Sequence, residues 1–446
     1  MIRRIKPGDF VVSYDDELGV VYAVGKGKLK TTTPAHAKAL RDCLTQYLDH
    51  GFSEQDNVAL EEYMEKQFGN WPDLELESCP PLYERSVLGR IEIIVANDCN
   101  LNCRYCYANS GTYGRKAQRM TPGAARIYLT RLLIGKYAGV KTVMFFGGEP
   151  TLCPETISEI CEFFQDSVRQ GLLGELPVYT MVTNGTLIDE AMADLIEKHR
   201  IRVTISLDGP APIHDFLRVD REGNGTFSRV KQGLYQLKKR GIRPALIEVT
   251  YTSKHKEVGY TKAYIQEYIN KEFAPENVLV ADCGAGGYDD TLQYREDDVF
   301  SHEFSKYQSD KNINYILSRR SFCDIGCDAG FGSCALLPSG DIYPCHYFIE
   351  HSEYRIAQYS NGRFDFSNYE NVIGKFTAAH RLQNKLCAQC PARVACRACS
   401  AGLLLCEADD FYCQAERKLQ ERLVLNCAKK QLRNHETKCF ASCAQE

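Results

Sequence analysis

Between Ile91 and Gly284, short apolar runs alternate with longer stretches in which apolar residues recur at helical spacing. The runs are rich in β-branched residues, as buried strands are, and the intervening stretches are long enough to be crossover helices. The predicted strands are 91–96, 142–147, 178–183, 202–207, 245–251 and 277–282. The predicted helices are 122–138, 155–171, 187–199, 226–240 and 259–271. This alternation predicts an α/β fold, a parallel sheet curved into a partial (β/α)6 TIM-like barrel.

A different pattern precedes the barrel. The apolar runs Phe10–Tyr14 and Val20–Val24 flank the turn-forming segment Asp15–Gly19 and predict a β-hairpin. A helix is predicted from Pro34 to Leu48, because proline suits the first turn and apolar residues follow at helical spacing. A second helix is predicted over residues 54–68. Strands followed by helices in so short a segment predict a small winged-helix-like module.

Three cysteines lie on the loop that leaves the first predicted barrel strand. Cys99, Cys103 and Cys106 are spaced Cys-x3-Cys-x2-Cys. Thiolates ligate iron–sulfur clusters, and a four-iron cluster held by three cysteines keeps one iron open to another ligand. A zinc site is the alternative, but structural zinc takes a fourth ligand, and neither His nor Cys occurs between Cys106 and Cys153. The spacing therefore favours an iron–sulfur cluster.

The composition indicates a reducing compartment and argues against nucleic-acid and membrane partners. The chain has 446 residues, a formal net charge of −4 and 21 cysteines. Many cysteines without a signal-peptide pattern indicate metal ligands in a reducing cytoplasm rather than disulfides. The charge balance is not that of a nucleic-acid-binding protein, and no apolar run is long enough to span a membrane. We therefore expect a cytoplasmic protein without nucleic-acid or membrane partners.

A second group of cysteines follows the barrel pattern. A β-hairpin is predicted near residues 335–346, and two Cys-x2-Cys pairs follow it between Cys387 and Cys399. Such pairs also suit a zinc site, which remains the alternative for this segment. The cysteines of this segment include Cys323, Cys327, Cys345, Cys387, Cys390, Cys396, Cys399 and Cys413.

Together these motifs resemble the radical S-adenosylmethionine (SAM) enzymes that carry a SPASM extension. The first cysteine loop, with Tyr105 before its last cysteine, resembles their SAM-cluster motif, and the tail resembles the SPASM pattern with one residue fewer than usual before Cys399. The resemblance implies SAM, one SAM-binding 4Fe-4S cluster and two auxiliary 4Fe-4S clusters. The implied ligands are Cys99, Cys103 and Cys106 for the first cluster, Cys323, Cys327, Cys345 and Cys399 for the second, and Cys387, Cys390, Cys396 and Cys413 for the third.

The same resemblance assigns the SAM contacts to strand ends. The Gly-Gly-Glu-Pro turn after the second strand would hold the SAM amino group, Ser206 the ribose hydroxyls and Arg218 the carboxylate, with Arg221 as the alternative to Arg218. Ile247 would pack on adenine or belong to the core, and Asp208 would reach a ligand or cap a turn. The implied SAM-binding residues are Tyr105, Gly147, Gly148, Glu149, Ser206, Arg218 and Ile247.

The resemblance also implies an activity. Reductive cleavage of SAM would yield a 5′-deoxyadenosyl radical that abstracts hydrogen from a substrate carbon. The segment from Cys327 to His346 resembles maturases of cysteine-rich ribosomal peptides, so we expect thioether crosslinks between a cysteine sulfur and a carbon. Alternatives are an anaerobic sulfatase-maturating, formylglycine-forming enzyme, a carbon–carbon crosslinking maturase and a non-enzymatic electron carrier. The SAM-binding set argues against the carrier, and no residue is assigned as the catalytic base.

The expected organisation follows from these assignments. Residues 1–85 would form a peptide-recognition (RRE-like) module that binds a leader peptide by strand addition, or a plain structural extension. Residues 86–285 would form the radical SAM barrel, and residues 286–446 a linker and the SPASM domain. The expected partners are a precursor peptide with a leader sequence and a reductant such as flavodoxin or ferredoxin.

Overall fold

The structure, a computed structural model, describes most of the barrel and parts of the flanking segments. The chain divides into two compact units, one of residues 1–79, 298–327 and 374–446 and the other of residues 80–297 and 328–373. The described residues are 10–23, 28–50, 62, 66, 75–77, 87–133, 139–284, 289–294, 321–323, 328–378, 399–405, 421 and 424–425.

The regular elements are numbered in chain order. The strands are β1 (Phe10–Tyr14), β2 (Gly19–Ala23), β3 (Lys28–Thr32), β4 (Glu75–Glu77), β5 (Val87–Ala96), β6 (Gly139–Gly147), β7 (Val178–Thr183), β8 (Arg202–Ser206), β9 (Leu246–Tyr251), β10 (Val278–Asp282), β11 (Ser321–Cys323), β12 (Ser333–Leu336), β13 (Asp341–Tyr343), β14 (Ala357–Ser360) and β15 (Arg363–Asp365). The helices are α1 (Pro34–His50), α2 (Pro122–Leu133), α3 (Pro154–Arg169), α4 (Glu190–Lys198), α5 (Ala211–Leu217), α6 (Phe227–Lys239), α7 (Ser253–Glu257), α8 (Lys262–Phe273), α9 (Tyr369–Ala378) and α10 (Ser400–Leu405).

The first unit begins with a three-stranded antiparallel sheet in the order β1-β2-β3, followed by α1. The predicted hairpin is confirmed, since Phe10 pairs with Ala23 across the Asp15–Gly19 turn. The second predicted helix lies outside the described residues except for Glu62 and Lys66, both of which are helical. Strands β4 and β11 of this unit pair in parallel.

The second unit is built on one ten-stranded sheet in the order β10-β9-β8-β7-β6-β5-β12-β13-β14-β15. Strands β5 to β10 pair in parallel, and helices connect them, which confirms the predicted partial barrel. The predicted hairpin of the tail is also present as β12 and β13. It extends the barrel sheet, because β12 pairs in parallel with β5 and places Ala335 beside Glu92.

The barrel strands have one face packed on helices and one inner face. On β8, Val203 and Ile205 are buried while Thr204 and Ser206 are half-buried. The buried side chains face the helices, since Ile205 lies with Val230 of α6 around Gly185. Side chains alternate along a strand, so Ser206 belongs to the inner face. Among the described helices, none has both the length and the apolar character needed to span a membrane.

Candidate functional site

The three cysteines of the first motif lie on one loop at the carboxyl end of β5. Cys99 is buried, and Cys103 and Cys106 are half-buried. Two N–H groups point at the Cys99 sulfur: the backbone N–H of Leu101 donates to Sγ at 3.4 Å, and the Asn184 amide donates at 3.8 Å. Donors to sulfur are a usual means by which a protein tunes an iron–sulfur cluster. The donor set therefore fits the cluster that the spacing predicts.

Burial keeps the thiols of Cys99 and Cys103 protonated unless a metal binds them. Burial raises the pKa of Cys103 to about 12, and burial raises the pKa of Cys99 further. Thiols in such surroundings become thiolates only beside a strong positive charge such as a metal. Within the described part of the chain, no three His, Cys, Asp or Glu side chains converge closely enough to hold a single metal ion.

Two glycines at the carboxyl end of β6 pack against the end of β5 and the cysteine loop. The backbone N–H of Gly148 donates to the Ala96 carbonyl at 2.8 Å, and that of Glu149 donates to the Asp98 carbonyl at 2.9 Å. A Cβ on Gly147 would lie 2.2 Å from the Ala96 oxygen, and a Cβ on Gly148 would lie 2.2 Å from the Asp98 oxygen. Gly147 is therefore required by close packing against the end of β5, and Gly148 by close packing against the cysteine loop. Contact of these glycines with SAM remains a prediction.

Glu149 is fully buried and joins the ends of β6 and β7. Its Oε1 accepts hydrogen bonds from the Thr151 backbone and hydroxyl at 3.0 and 2.6 Å and from the Thr183 hydroxyl at 2.5 Å. Its Oε2 accepts from the Asn184 backbone at 2.8 Å. Burial raises the pKa of Glu149 despite these donors. The carboxyl group is thus held rigidly beside the residue that contacts Cys99, and its contact with the SAM amino group stays a prediction.

Asp208, at the end of β8, accepts hydrogen bonds from three separate elements. The Tyr105 hydroxyl and the Arg218 Nε donate to Oδ2 at 2.6 and 2.9 Å, and the Thr250 N–H donates to Oδ1 at 3.0 Å. The carboxylate is fully buried. Burial alone would raise the pKa of Asp208, but the Arg218 charge and the Tyr105 hydrogen bond outweigh it and lower that pKa. Asp208 therefore links the cysteine loop to Arg218 rather than capping a turn.

The two candidate arginines for the SAM carboxylate differ in placement. The Arg221 side chain is 60% exposed and pairs with Asp98, which also accepts from Arg119 Nη2 at 2.7 Å. The Arg218 side chain is only 10% exposed, and among described residues nothing accepts a hydrogen bond from its Nη atoms. A buried guanidinium with free donors is suited to an anionic ligand. The geometry favours Arg218 over Arg221 for that ligand.

Ser206 and Ile247 fall on opposite faces of the sheet. Ser206 lies on the inner face, and its hydroxyl has no hydrogen-bond partner within the described residues. Ile247 is fully buried and pairs with Ile205, whose side chain faces the helices. Neighbours in register point the same way, so Ile247 belongs to the helix-packed core. The structure thus places Ser206, but not Ile247, on the inner face.

The tail cysteines are only partly described. Cys323 ends β11, Cys345 is buried two residues after β13, and Cys399 is exposed. The remaining predicted ligands, Cys327, Cys387, Cys390, Cys396 and Cys413, lie outside the described residues. Both auxiliary clusters therefore remain predictions.

One charged group on the inner face was missed from the sequence. Glu92 is 1% exposed, and its Oε2 accepts from the His346 backbone N–H at 3.1 Å and lies 3.0 Å from His346 Nδ1. Arg90 Nη2 lies 3.1 Å from its Oε1, and the Phe146 ring packs 4.5 Å from the imidazole. The carboxylate orients the imidazole with Nδ1 toward itself, which leaves Nε2 available to a ligand. The signal in the sequence was a charged residue inside the apolar run 91–96.

The barrel and its cysteine loop have counterparts among known proteins. Residues 93–255 match the family model of the Radical SAM superfamily. A cysteine-type anaerobic sulfatase-maturating enzyme of Clostridium novyi (strain NT) is 24% identical over 322 residues, which cover 68% of this chain and 84% of that protein. The radical SAM cyclopropyl synthase TigE of Paramaledivibacter caminithermalis is 29% identical over 160 residues, which cover 33% of this chain and 32% of that protein.

A solved structure shows the same fold. Native anSMEcpe with bound AdoMet superposes with a TM-score of 0.59 and 22% identity, covering 76% of this chain and 99% of that chain. The cysteine loop at the carboxyl end of β5 falls inside the stretch that matches the family model. Residues 93–255 therefore form a radical SAM domain, and the similarity to radical SAM and sulfatase-maturating enzymes indicates that the protein is an enzyme.

Proposed function

We propose that this enzyme is a maturase that modifies a peptide or protein side chain, and that it installs thioether crosslinks in a ribosomally made cysteine-rich precursor. The similarity to the sulfatase-maturating enzyme of Clostridium novyi supports modification of a peptide or protein side chain. The aligned region covers 84% of that protein and therefore extends beyond the radical SAM domain. Peptide and protein side chains are the substrates that this likeness suggests. The thioether reaction rests on the resemblance of the tail to thioether-forming maturases.

SAM and the 4Fe-4S cluster, when bound, supply a 5′-deoxyadenosyl radical that abstracts hydrogen from a substrate carbon. Cys99, Cys103 and Cys106 would hold the cluster, and the Arg218 guanidinium would pair with the SAM carboxylate. The Ser206 hydroxyl would bind the ribose from the inner face of β8. A reductant such as flavodoxin or ferredoxin would deliver the electron.

The inner face near Glu92 suits the substrate. His346, Phe146 and the half-exposed Tyr347 form an aromatic wall, with the His346 and Tyr347 rings 4.5 Å apart. The fixed imidazole offers Nε2 as a hydrogen-bond partner for a polar substrate group. Aromatic walls with a few placed polar groups are typical of small binding sites. We place the reacting side chain of the substrate beside His346.

The amino-terminal sheet supports a substrate that carries a leader. Strands β1 and β3 are the edges of the three-stranded sheet, and each edge offers backbone donors and acceptors to an added strand. A leader peptide would bind there in extended conformation and raise the local concentration of the core peptide at the barrel.

Formylglycine formation on a sulfatase is the second candidate. The specific observation in its favour is that the Clostridium novyi relative is named a cysteine-type anaerobic sulfatase-maturating enzyme. Both reactions act on a cysteine, but they leave different products. A thioether keeps the sulfur and loses two hydrogens, whereas formylglycine loses the sulfur and gains an aldehyde.

Mass spectrometry of two co-expressed substrates separates these candidates. One substrate is a short cysteine-rich precursor with its leader, and the other is a sulfatase segment with its target cysteine. We expect loss of two hydrogens per crosslink and blocked alkylation in the precursor, with no hydrazide-reactive aldehyde in the sulfatase segment. The opposite pattern would support formylglycine formation, and unchanged masses in both would contradict a maturase.

A further inference from the structure

The side chain of Asp208 ties together two groups that lie far apart in the sequence. Tyr105 belongs to the cysteine loop, and Arg218 follows α5. Both donate to the same oxygen, Oδ2, and the Arg218 Cζ lies 5.3 Å from the centre of the Tyr105 ring. Backbone bonds join the same two segments, because the Asn102 N–H donates to Val219 O at 2.8 Å.

Asp208 is itself fixed on every side. The Thr250 N–H on β9 donates to Oδ1 at 3.0 Å, and the His255 ring lies 2.8 Å from its backbone oxygen through Nε2. Its own N–H lies 3.3 Å from His214 Nδ1. The residue as a whole therefore cannot shift without disturbing β9, α5 and α7. A rigid acceptor of this kind sets the position of the donors that bind it.

We propose that Asp208 is a positioning residue for SAM. Its hydrogen bond to Arg218 Nε orients the two Nη groups as a fixed fork for the SAM carboxylate. Its hydrogen bond from Tyr105 fixes the position of the cysteine loop relative to that fork. The Nε of Arg218 donates a hydrogen bond to Asp208, and the Nη groups have no acceptor among the described residues. A guanidinium offers a planar fork that matches a carboxylate with two parallel hydrogen bonds. The inference concerns SAM alone, so it holds whichever peptide is modified.

The alternative is that Asp208 only stabilises the fold. Two ligands distinguish the two roles: SAM carries the carboxylate that Arg218 would bind, and 5′-methylthioadenosine keeps the adenosine but lacks that carboxylate. Loss of positioning weakens SAM alone, whereas a loosened fold weakens both. Binding is measured by equilibrium dialysis on the reconstituted holoenzyme, with iron content and melting temperature recorded for each variant.

The test variants are Asp208→Asn and Tyr105→Phe, with Asp220→Asn as the matched control. Asp220 also binds an arginine, Arg229 at 2.8 Å, on the loop after Arg218, but it has no contact with Tyr105. For Asp208→Asn we expect the Kd for SAM to rise by about tenfold or more, the usual effect of losing a residue that orients a ligand-binding group. The Kd for 5′-methylthioadenosine should change less than twofold, and Asp220→Asn should resemble the wild type.

Tyr105→Phe removes one hydroxyl and keeps the ring. It therefore tests the hydrogen bond between Tyr105 and Asp208 even if the Asp208→Asn protein binds iron poorly. We expect a smaller rise in the Kd for SAM and a weaker SAM-induced change in the electron paramagnetic resonance spectrum of the reduced cluster. An unchanged Kd for SAM in both variants would overturn the proposal. So would an equal loss of affinity for SAM and 5′-methylthioadenosine, since that result indicates a structural role.

Discussion

Gly148 sits so close to the cysteine loop that a Cβ at this position would come 2.2 Å from the carbonyl oxygen of Asp98. The same Cβ would lie 3.0 Å from Gly111 Cα, also on the loop. The Gly-Gly-Glu-Pro turn and the cysteine loop are therefore packed backbone against backbone. The requirement for glycine comes from this packing, before any ligand is considered.

Gly148→Ala should displace the cysteine loop. Overpacking of this kind costs about 1–3 kcal/mol of unfolding free energy, and we expect reconstituted protein to bind less iron than the wild type. Gly123→Ala is the matched control, because Gly123 lies in α2 with open space around its Cα. Denaturant unfolding and iron analysis check both variants. Normal iron content in Gly148→Ala would contradict this account of the turn.

Substitutions of Ser206 and Ile247 should have separate effects, one on the affinity for SAM and the other on the stability of the fold. Ser206→Ala would remove the hydrogen bond that we propose Ser206 makes to SAM, and it should weaken binding by about 0.5–1.5 kcal/mol with little change in stability. Ile247→Val deletes one buried methyl group and should cost about 0.5–1.5 kcal/mol of unfolding free energy, with unchanged SAM affinity. Equilibrium dialysis and denaturant unfolding measure the two effects. Weaker SAM binding by Ile247→Val without loss of stability would instead put Ile247 against adenine.

Glu92→Gln should destabilise the barrel. The carboxylate is 1% exposed and binds His346 and Arg90, and hydrogen bonds to a charged group contribute about 1.5–3 kcal/mol. Glu190→Gln is the control, because Glu190 also pairs with two cations but is 69% exposed, where such pairs contribute about 0–1 kcal/mol. Denaturant unfolding at neutral pH compares the variants. Equal effects of the two substitutions would refute a buried ion pair at Glu92.

The Glu92 contribution should also depend on pH. Burial would raise the pKa of Glu92, but the hydrogen bond and charge of His346 and the charge of Arg90 lower it below its usual 4.5. A carboxyl group with a lowered pKa stabilises the fold above its usual pKa, and this stabilisation is lost as the pH falls through the lowered value. The stability difference between wild type and Glu92→Gln should therefore be present above pH 4.5 and shrink as the pH falls below it. A difference that grows on acidification would contradict this sign.

Local patterns predicted much of the barrel. The strand predicted over 178–183 is Val178–Thr183, and the helix predicted over 226–240 is Phe227–Lys239, because apolar periodicity reflects which face of each element is buried. The short helices α5 and α7 were missed, since Ala211–Leu217 and Ser253–Glu257 are too short to show a period.

Long-range relationships were not predictable from local patterns. The pairing of β12 with β5 joins residues about 240 positions apart, and periodicity carries no information on such pairs. The Asp208 network is of the same kind, because Tyr105 and Arg218 meet only in the folded chain. The cysteine loop was predictable because its three cysteines lie within eight residues.

We propose that Cys99, Cys103 and Cys106 hold the cluster that cleaves SAM. The most direct test measures 5′-deoxyadenosine released from SAM and dithionite by anaerobically reconstituted protein. The wild type should release it, and the triple variant Cys99→Ala, Cys103→Ala, Cys106→Ala should release none while retaining its fold by circular dichroism. A triple variant that still cleaves SAM would contradict the account.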